Sequence, residues 1–401
     1  MIFSLPFHVA RFFRPTLLEV FSLTNTQLGD TFAFYGITAM LSYFPGGVIA
    51  DYFSARKLLT ISLISTALGG FVMMQIPQGM ALTLLFGYWG ITSILLFWAG
   101  MIKATREWGG HNEQGKAFGL LDGGRGLVAA LMSTIAVSLL SQQINDAQGS
   151  DVQLALKHVI LFYTAMTFLA GMLLWHFIPE QEENSQVSSH PLKGIKKSIM
   201  SSKVWLQAMI VICAYSGFKG ADNYGLYAVK ILHMNQVESA TFTSFAAYLR
   251  PIGAIAAGFL ADKIDASRVI LYSFIVLMLL YLFSFLQIQW FSGQMLIHIS
   301  LINLSFSFLA VFALRGVYFA LVEESKIQLT ITGTAVGFIS FIGYTPDVFF
   351  ASITGRVLDN ASVTKGFENY FLVLMFISFL GLLAAFLLNK QIKYQVANKI
   401  S

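Results

Sequence analysis

"GGVIADYFSARKLL", residues 46–59, places Gly47 four positions before the carboxylate of Asp51 and follows it with the paired bases Arg56 and Lys57. The pattern returns as "GFLADKIDASRVI", residues 258–270, where Gly258 and Asp262 lie 211 positions after Gly47 and Asp51 and Arg268 supplies the base. A second echo pairs "KAFGLL" with "TAVGFI", so that Ala117 and Gly119 recur as Ala335 and Gly337, 218 positions on. Self-similarity at about half the chain length means one structural unit used twice.

Composition says where that unit lives. The 401 residues are 56% hydrophobic and only 11% charged, with 37 Phe and a mean hydropathy of +0.69. A soluble globule carries roughly twice that charge on its wetted surface, so the chain belongs in a bilayer. Its single cysteine, Cys213, excludes an internal disulfide. The start lacks the charged segment and cleavage site of a removable signal.

Windows of about 20 apolar residues mark spanning helices. They fall at 31–50, 58–76, 80–102, 117–141, 158–178, 204–229, 240–261, 269–289, 293–316, 333–354 and 369–388. A twelfth, at "MIFSLPFHVA", offers only ten residues before Arg11 and reaches about 15 Å, half a hydrocarbon core. Helix 1 is therefore short, or the chain given lacks its first turns. Bases crowd alternate loops: Arg56 and Lys57, Lys103 to Lys116, Lys193 to Lys203, Lys263 and Arg268, and the tail from Lys390. The opposite loops hold only Lys157, Lys230, Arg356 and Lys365. The positive-inside rule puts the basic set and the C-terminus in the cytoplasm, and it accounts for the net charge of +5 without nucleic acid. The longest polar stretch, 179–203, has linker composition. It divides an N-terminal bundle, 1–178, from a C-terminal bundle, 204–389, with a cytoplasmic tail at 390–401.

With its paired Gly/Asp/Arg turns, twelve spans and midpoint linker, the chain resembles the major facilitator superfamily. That family's signature between the second and third helix of each half reads Gly, three residues, Asp, a short turn, then Arg or Lys. Tyr52 stands where a base is usual, Ser54 where glycine is usual, and Asp265 intrudes on the second copy. The resemblance implies an all-α membrane protein of two six-helix bundles that rocks around a midplane site. A small residue lets helices approach closely, and a carboxylate at a helix end can be held in one conformation and released in the other. Gly47, Asp51, Arg56, Gly258, Asp262 and Arg268 are thus expected to gate the cytoplasmic side. The stretch "EQGKAFGLLDGGRG" looks like a bacterial inner-membrane branch of the family.

"GHNEQGKAFG", 110–119, comes within one residue of a P-loop but has Ala117 where Mg²⁺ needs a hydroxyl, and spanning helices flank it. Gly115, Gly119 and Gly123 read better as close-packing positions for helix contact. No HExxH, GxSxG or Cys/His cluster occurs. Neither an enzyme nor a cofactor is expected.

Function then rests on ionisable groups within the spans. Asp122 with Arg125 and Lys219 with Asp222 are three apart and able to pair. If they do, Arg11, Arg250 and Arg315 share only Asp347, and the cavity is net cationic. Arg11 and Lys219 occupy the first helix of each half, where two cations can clasp a phosphate or carboxylate. "AYSGFKGADNYGLYAV" distantly resembles helix 7 of organophosphate:phosphate antiporters, with Lys219 for that family's arginine. The expectation is a monomeric secondary transporter of a small organic anion, a phosphorylated or carboxylated metabolite, by alternating access. Its substrate contacts would be Arg11, Lys219, Arg250 and Arg315, with Asp222 and Asp347 coupling to a proton or to phosphate counter-ion. Asp122 and Arg125 would form a structural or coupling pair. The alternatives are a proton-coupled symporter of a neutral solute and a drug or metabolite exporter of the same fold. Arg14 is expected to snorkel at the outer interface. Tyr35, Tyr224 and Trp98 are too ordinary in so aromatic a chain to be singled out.

Overall fold

The computed structural model describes residues 2–109, 114–146, 151–179, 199–325 and 332–400. The side chains of Asp51 and Asp122, both expected at functional positions, fall outside the description, as does most of the polar linker. The described residues are helical throughout, without a strand.

Twelve helical passes follow in chain order. The first, α1, is made of Ser4–His8, Val9–Phe12 and Arg14–Val20. It is short, as expected, and interrupted at Phe13. Next come α2 (Asn25–Tyr52), α3 (Ala55–Met73) and α4 (Met80–Ile91, Thr92–Trp98 and Ala99–Gly109, the middle piece a π-helix). The first half closes with α5 (Gln114–Asp146) and α6 (Val152–Phe177). In the second half α7 comprises Ser202–Gly220, a 3₁₀ turn at Ala221–Asn223, and Tyr224–Lys230. The α8 pass comprises Gln236–Ala247 and Leu249–Ile264. Then follow α9 (Ala266–Trp290), α10 (Gly293–Val317), α11 (Thr332–Gly343 and Pro346–Asp359) and α12 (Val363–Ile400). Ten passes, α3 to α12, meet the length and apolarity needed to cross a bilayer. The C-terminal tail continues α12 as helix.

Local chemistry repeats with the sequence. Thr24 opens α2 with a capping box in which its hydroxyl accepts from Gln27 N (3.1 Å) and its own N–H donates to Gln27 Oε1 (2.9 Å). Asn235 opens α8 in the same way with Glu238, both bonds at 2.8 Å. Each box satisfies donors the first helical turn leaves orphaned, and both positions recur at the 211-residue offset with different residues, Asn235 for Thr24 and Glu238 for Gln27.

Contacts group the chain into two units that do not follow the linker. Unit 1 holds Met1–Val187 with Gly225–Tyr248 and Asp347–Arg356, and unit 2 holds Ser188–Tyr224, Leu249–Pro346 and Val357–Ser401. The chain passes between units at Tyr224, Tyr248 and Pro346, where α7, α8 and α11 are interrupted. Unit 1 buries Phe13, Phe86, Trp89 and Tyr163 in one apolar core. Unit 2 buries Phe274, Tyr281 and Tyr370.

Glycine positions show how closely helices meet. A Cβ at Gly90 would lie 2.5 Å from Tyr35 O and 2.1 Å from Thr38 Oγ1, so α4 sits directly on α2. At Gly123, Gly124 and Gly258 it would meet nothing within 4 Å. Among the described residues, then, no atom closely approaches Gly123 or Gly258 in this conformation. Gly115 and Gly119 lie where side-chain surroundings are not described.

Gly90→Ala should destabilise the protein in detergent by about 1–3 kcal/mol, as overpacking against backbone does. Gly124→Ala, a helix-favouring change in open space, should leave the melting temperature unchanged or slightly raised. Equal melting of the two variants would refute the close approach at Gly90.

Candidate functional site

In unit 2 the interruption of α7 gathers charge. Lys219 is 5% exposed and Asp222 9%, and Lys219 Nζ lies 3.8 Å from Asp222 Oδ2. Their spacing of three thus pairs them, although through a 3₁₀ turn. The carbonyl of Gly220, at the start of that turn, accepts from the Tyr370 hydroxyl of α12, and Asn223 Nδ2 in turn donates to the Tyr370 hydroxyl oxygen at 3.4 Å. Beside it, the Arg315 guanidinium of α10 sits 3.9 Å from the Phe218 ring centroid and 5.5 Å from that of Tyr215. Tyr215 packs edge-on against Tyr344 at 4.9 Å, and the Tyr344 and Tyr318 hydroxyls are 3.2 Å apart. A guanidinium stacked on rings keeps its fork of N–H donors at the ring edge, a geometry suited to an oxyanion.

Unit 1 holds a comparable group. Arg125 of α5 lies 5.8 Å from the Trp98 ring and 5.9 Å from the Phe3 ring. Trp98 belongs to the π-helical piece of α4, and Tyr43 meets it edge-on at 6.5 Å. Such π turns are frequent at functional sites. Tyr35, buried, shares a hydrogen bond of 2.7 Å with Ser93 Oγ in the same piece. Asp347, in the first turn of the outer part of α11, lies within electrostatic reach of Tyr35 and Tyr43. Arg11, partly buried, stands two residues before the interruption of α1, and Arg250, in unit 2, two residues after that of α8.

Of the expected Asp122–Arg125 pair only the Arg125 side chain is described, and it lies near rings. One expectation changes. Arg14 is buried at 3% exposure instead of snorkelling, and donates to Asn25 Oδ1 at 3.4 Å where α1 ends against the start of α2. In the signature turns, Arg56 stacks on Trp175 at 4.4 Å. Arg268 pairs with Asp265 at 3.6 Å while Asp262 stays exposed. Two residues the sequence did not single out hold these helix ends. Lys103 Nζ donates to Ala50 O (2.8 Å) and Phe53 O (2.9 Å), capping α2 with positive charge where its dipole is negative. Glu324 accepts from Ser267 N at 2.8 Å and from Ser267 Oγ at 2.5 Å, capping α9 with negative charge. A basic or acidic residue one loop away from each signature was the available signal. Tyr35, Tyr43, Trp98, Tyr215 and Phe218 gave none, since aromatics are common along the whole chain.

At the end of the helices opposite the basic loops, Arg356 binds Asp30 with two nitrogens, Nη1 at 2.7 Å and Nη2 at 3.1 Å. The hydrogen bond from Arg356 holds the Asp30 carboxyl below the usual carboxylate range, so the pair is ionic at neutral pH.

The profile of the Major Facilitator Superfamily matches residues 1–344. Among relatives, the inner membrane protein YqcE of Escherichia coli (strain K12) is 29% identical over 94% of this chain and 89% of its own. The inner membrane protein YihN of the same organism is 26% identical over 98% and 93%. The hexuronate transporter of Bacillus subtilis (strain 168) is 22% identical over 88% and 84%. In fold, the chain superposes on a bacterial homologue of the human lysosomal transporter Spinster, inward-facing and occupied, with a TM-score of 0.74 at 13% identity over 97% and 95%. The chain therefore belongs to the Major Facilitator Superfamily, as a multi-pass inner-membrane transporter and not an enzyme.

Proposed function

We propose that this transporter carries a small organic anion, a phosphorylated or carboxylated metabolite, by secondary active transport with alternating access. The observation that carries the reading is the buried Lys219 in the interruption of α7, with Arg315 held on rings beside it. Long cations inside a bilayer are costly and mark substrate paths. Arg11 and Arg125 in unit 1 and Arg250 in unit 2 add positive charge, against Asp122, Asp222 and Asp347. A relative named for hexuronate, a sugar acid, agrees with an anionic cargo. The moving parts are the two bundles, 1–178 and 204–389, with the C-terminus cytoplasmic, the Gly47 and Gly258 signatures gating that side, and the protein acting as a monomer. A phosphate counter-ion suits exchange.

Proton coupling is a second reading, favoured by the place of Asp347. It opens the outer part of α11 beside two tyrosines of α2, and a carboxyl there can load and release a proton as its surroundings alternate.

Thermal-shift measurements of the purified protein against phosphate, sugar phosphates, mono- and dicarboxylates and neutral sugars test the cargo, since a ligand of the folded state raises melting. Stabilisation by one anion class is expected, and stabilisation by neutral compounds alone would refute it. Lys219→Ala should weaken that anion by ~2 kcal/mol or more. The double variant Lys219→Ala/Asp222→Asn, which leaves no lone buried charge, should bind as poorly while melting closer to the parent. Asp347→Asn should abolish proton-driven accumulation in vesicles yet keep counterflow exchange; accumulation at the parent rate would remove Asp347 from coupling.

A further inference from the structure

The outer end of unit 1 contains two seams between helices of opposite sequence halves, and the internal repeat relates them. In one, α2 lies on the outer part of α11. A Cβ at Gly29 would fall 2.3 Å from Ala351 O, at Gly36 2.4 Å from Asp347 O, and at Gly355 2.5 Å from Asn25 O. These helices touch backbone to backbone. In the other, α8 lies on α5 through Ser133–Ser244 (2.6 Å) and Thr134–Tyr248 (3.0 Å). The 211-residue offset carries α2 onto α8, and the 218-residue offset carries α5 onto α11, so Thr134 corresponds to Ser352.

The seams differ in one respect. In the first, Asp30 accepts from Ser352 Oγ and from both terminal nitrogens of Arg356. Its repeat counterparts are Thr241 and Ser138. They bond only back into their own helices, to Val237 O at 2.7 Å and Thr134 O at 3.2 Å. A charged clasp has thus been placed on one of two equivalent seams. The signature glycine Gly258, toward the basic loops, is uncovered in the same structure.

We propose that Asp30, Ser352 and Arg356 form a latch that holds the extracytoplasmic side shut, and that opening this side requires the latch to break and α11 to lift from the glycines of α2. The helix contact supplies the close fit. The bidentate pair, about half exposed on both partners (49% and 48%), supplies a bond that water can replace during opening. This rests on the proposed orientation of the chain, but on no particular substrate.

The test is the rate at which a membrane-impermeant maleimide labels a reporter cysteine. Cys213 is the chain's one cysteine and is buried, so Cys213→Ser gives a clean background. Ser244→Cys places the reporter in the second seam, buried at 3% and away from the latch. Labelling from the outside of right-side-out vesicles should be slow in the parent. It should speed up about threefold or more in Asp30→Asn and in Arg356→Gln, the scale of a good exposed ion pair. The exchanged variant Asp30→Arg/Arg356→Asp should return it to within about twofold of the parent. Gly355→Ala, whose Cβ would strike Asn25 O, should also speed labelling. Lys365→Gln, which removes the partner of Glu368, should not. Equal rates in parent, Asp30→Asn and Arg356→Gln would overturn the latch, as would failure of the exchanged pair to slow labelling. Labelling only from inside-out vesicles would instead overturn the orientation. Because no substrate is added, either result leaves the anion reading to its own test.

Discussion

A backbone that crosses hydrocarbon must satisfy its own amides, because no water is there to do so. Every interruption of a spanning helix therefore has to be answered by a side chain. In this protein the answers are specific. The break in α1 at Phe13 frees Phe12 O, which accepts from Thr243 Oγ1 of α8 at 3.3 Å. The 3₁₀ turn in α7 is braced by the Tyr370 hydroxyl on Gly220 O. The turn in α11 is closed by Thr345 Oγ1 on Ile342 O at 2.6 Å. Hydroxyls, two from neighbouring helices and one from α11 itself, thus satisfy carbonyls at these interruptions.

The ionisable residues lie beside these interruptions. Arg11 precedes the one in α1, Lys219 and Asp222 flank the one in α7, Arg250 follows that in α8, and Asp347 follows that in α11. The association has a physical basis. Where the ladder is open, carbonyls and N–H groups are available to a charge, and the helix can bend without losing further bonds. Three interruptions also mark where the chain leaves one contact unit for the other. Charge and backbone freedom coincide along the chain, which is what a carrier that must both bind and bend requires.

The architecture was legible because hydrophobic length and internal repetition are properties of the chain itself. Spans, linker and the 211-residue offset needed no contacts to be seen. The titratable residues were legible for a related reason, since charge inside an apolar window stands out. Their partners were not. Arg125 turned to Trp98 and Phe3, and Arg315 to Phe218, because rings on other helices came within reach, and no local spacing records that. Arg14 was misplaced because the short α1 ends beneath the start of α2. The signature turns show the same limit of local spacing. Their motif names Asp262 and Arg268, yet Lys103 and Glu324 cap the helix ends in this conformation.

The Lys219–Asp222 pair makes little sense as a device for stability. Two charges taken out of water lose more hydration than their attraction returns unless their geometry is close and fully hydrogen-bonded. At 3.8 Å the pair is an ion pair outside hydrogen-bond range. An apolar pair of similar volume would hold α7 at least as well. What such a pair does provide is a cation kept in the membrane interior at bearable cost while no ligand is bound. In the anion carrier proposed above, an incoming anion that takes over Lys219 would release Asp222 to another partner, and a proton is the smallest that fits. In that arrangement the carboxylate that makes the empty carrier stable is also the group through which anion binding is felt elsewhere in α7, so cargo recognition and coupling need not reside in separate parts of the molecule.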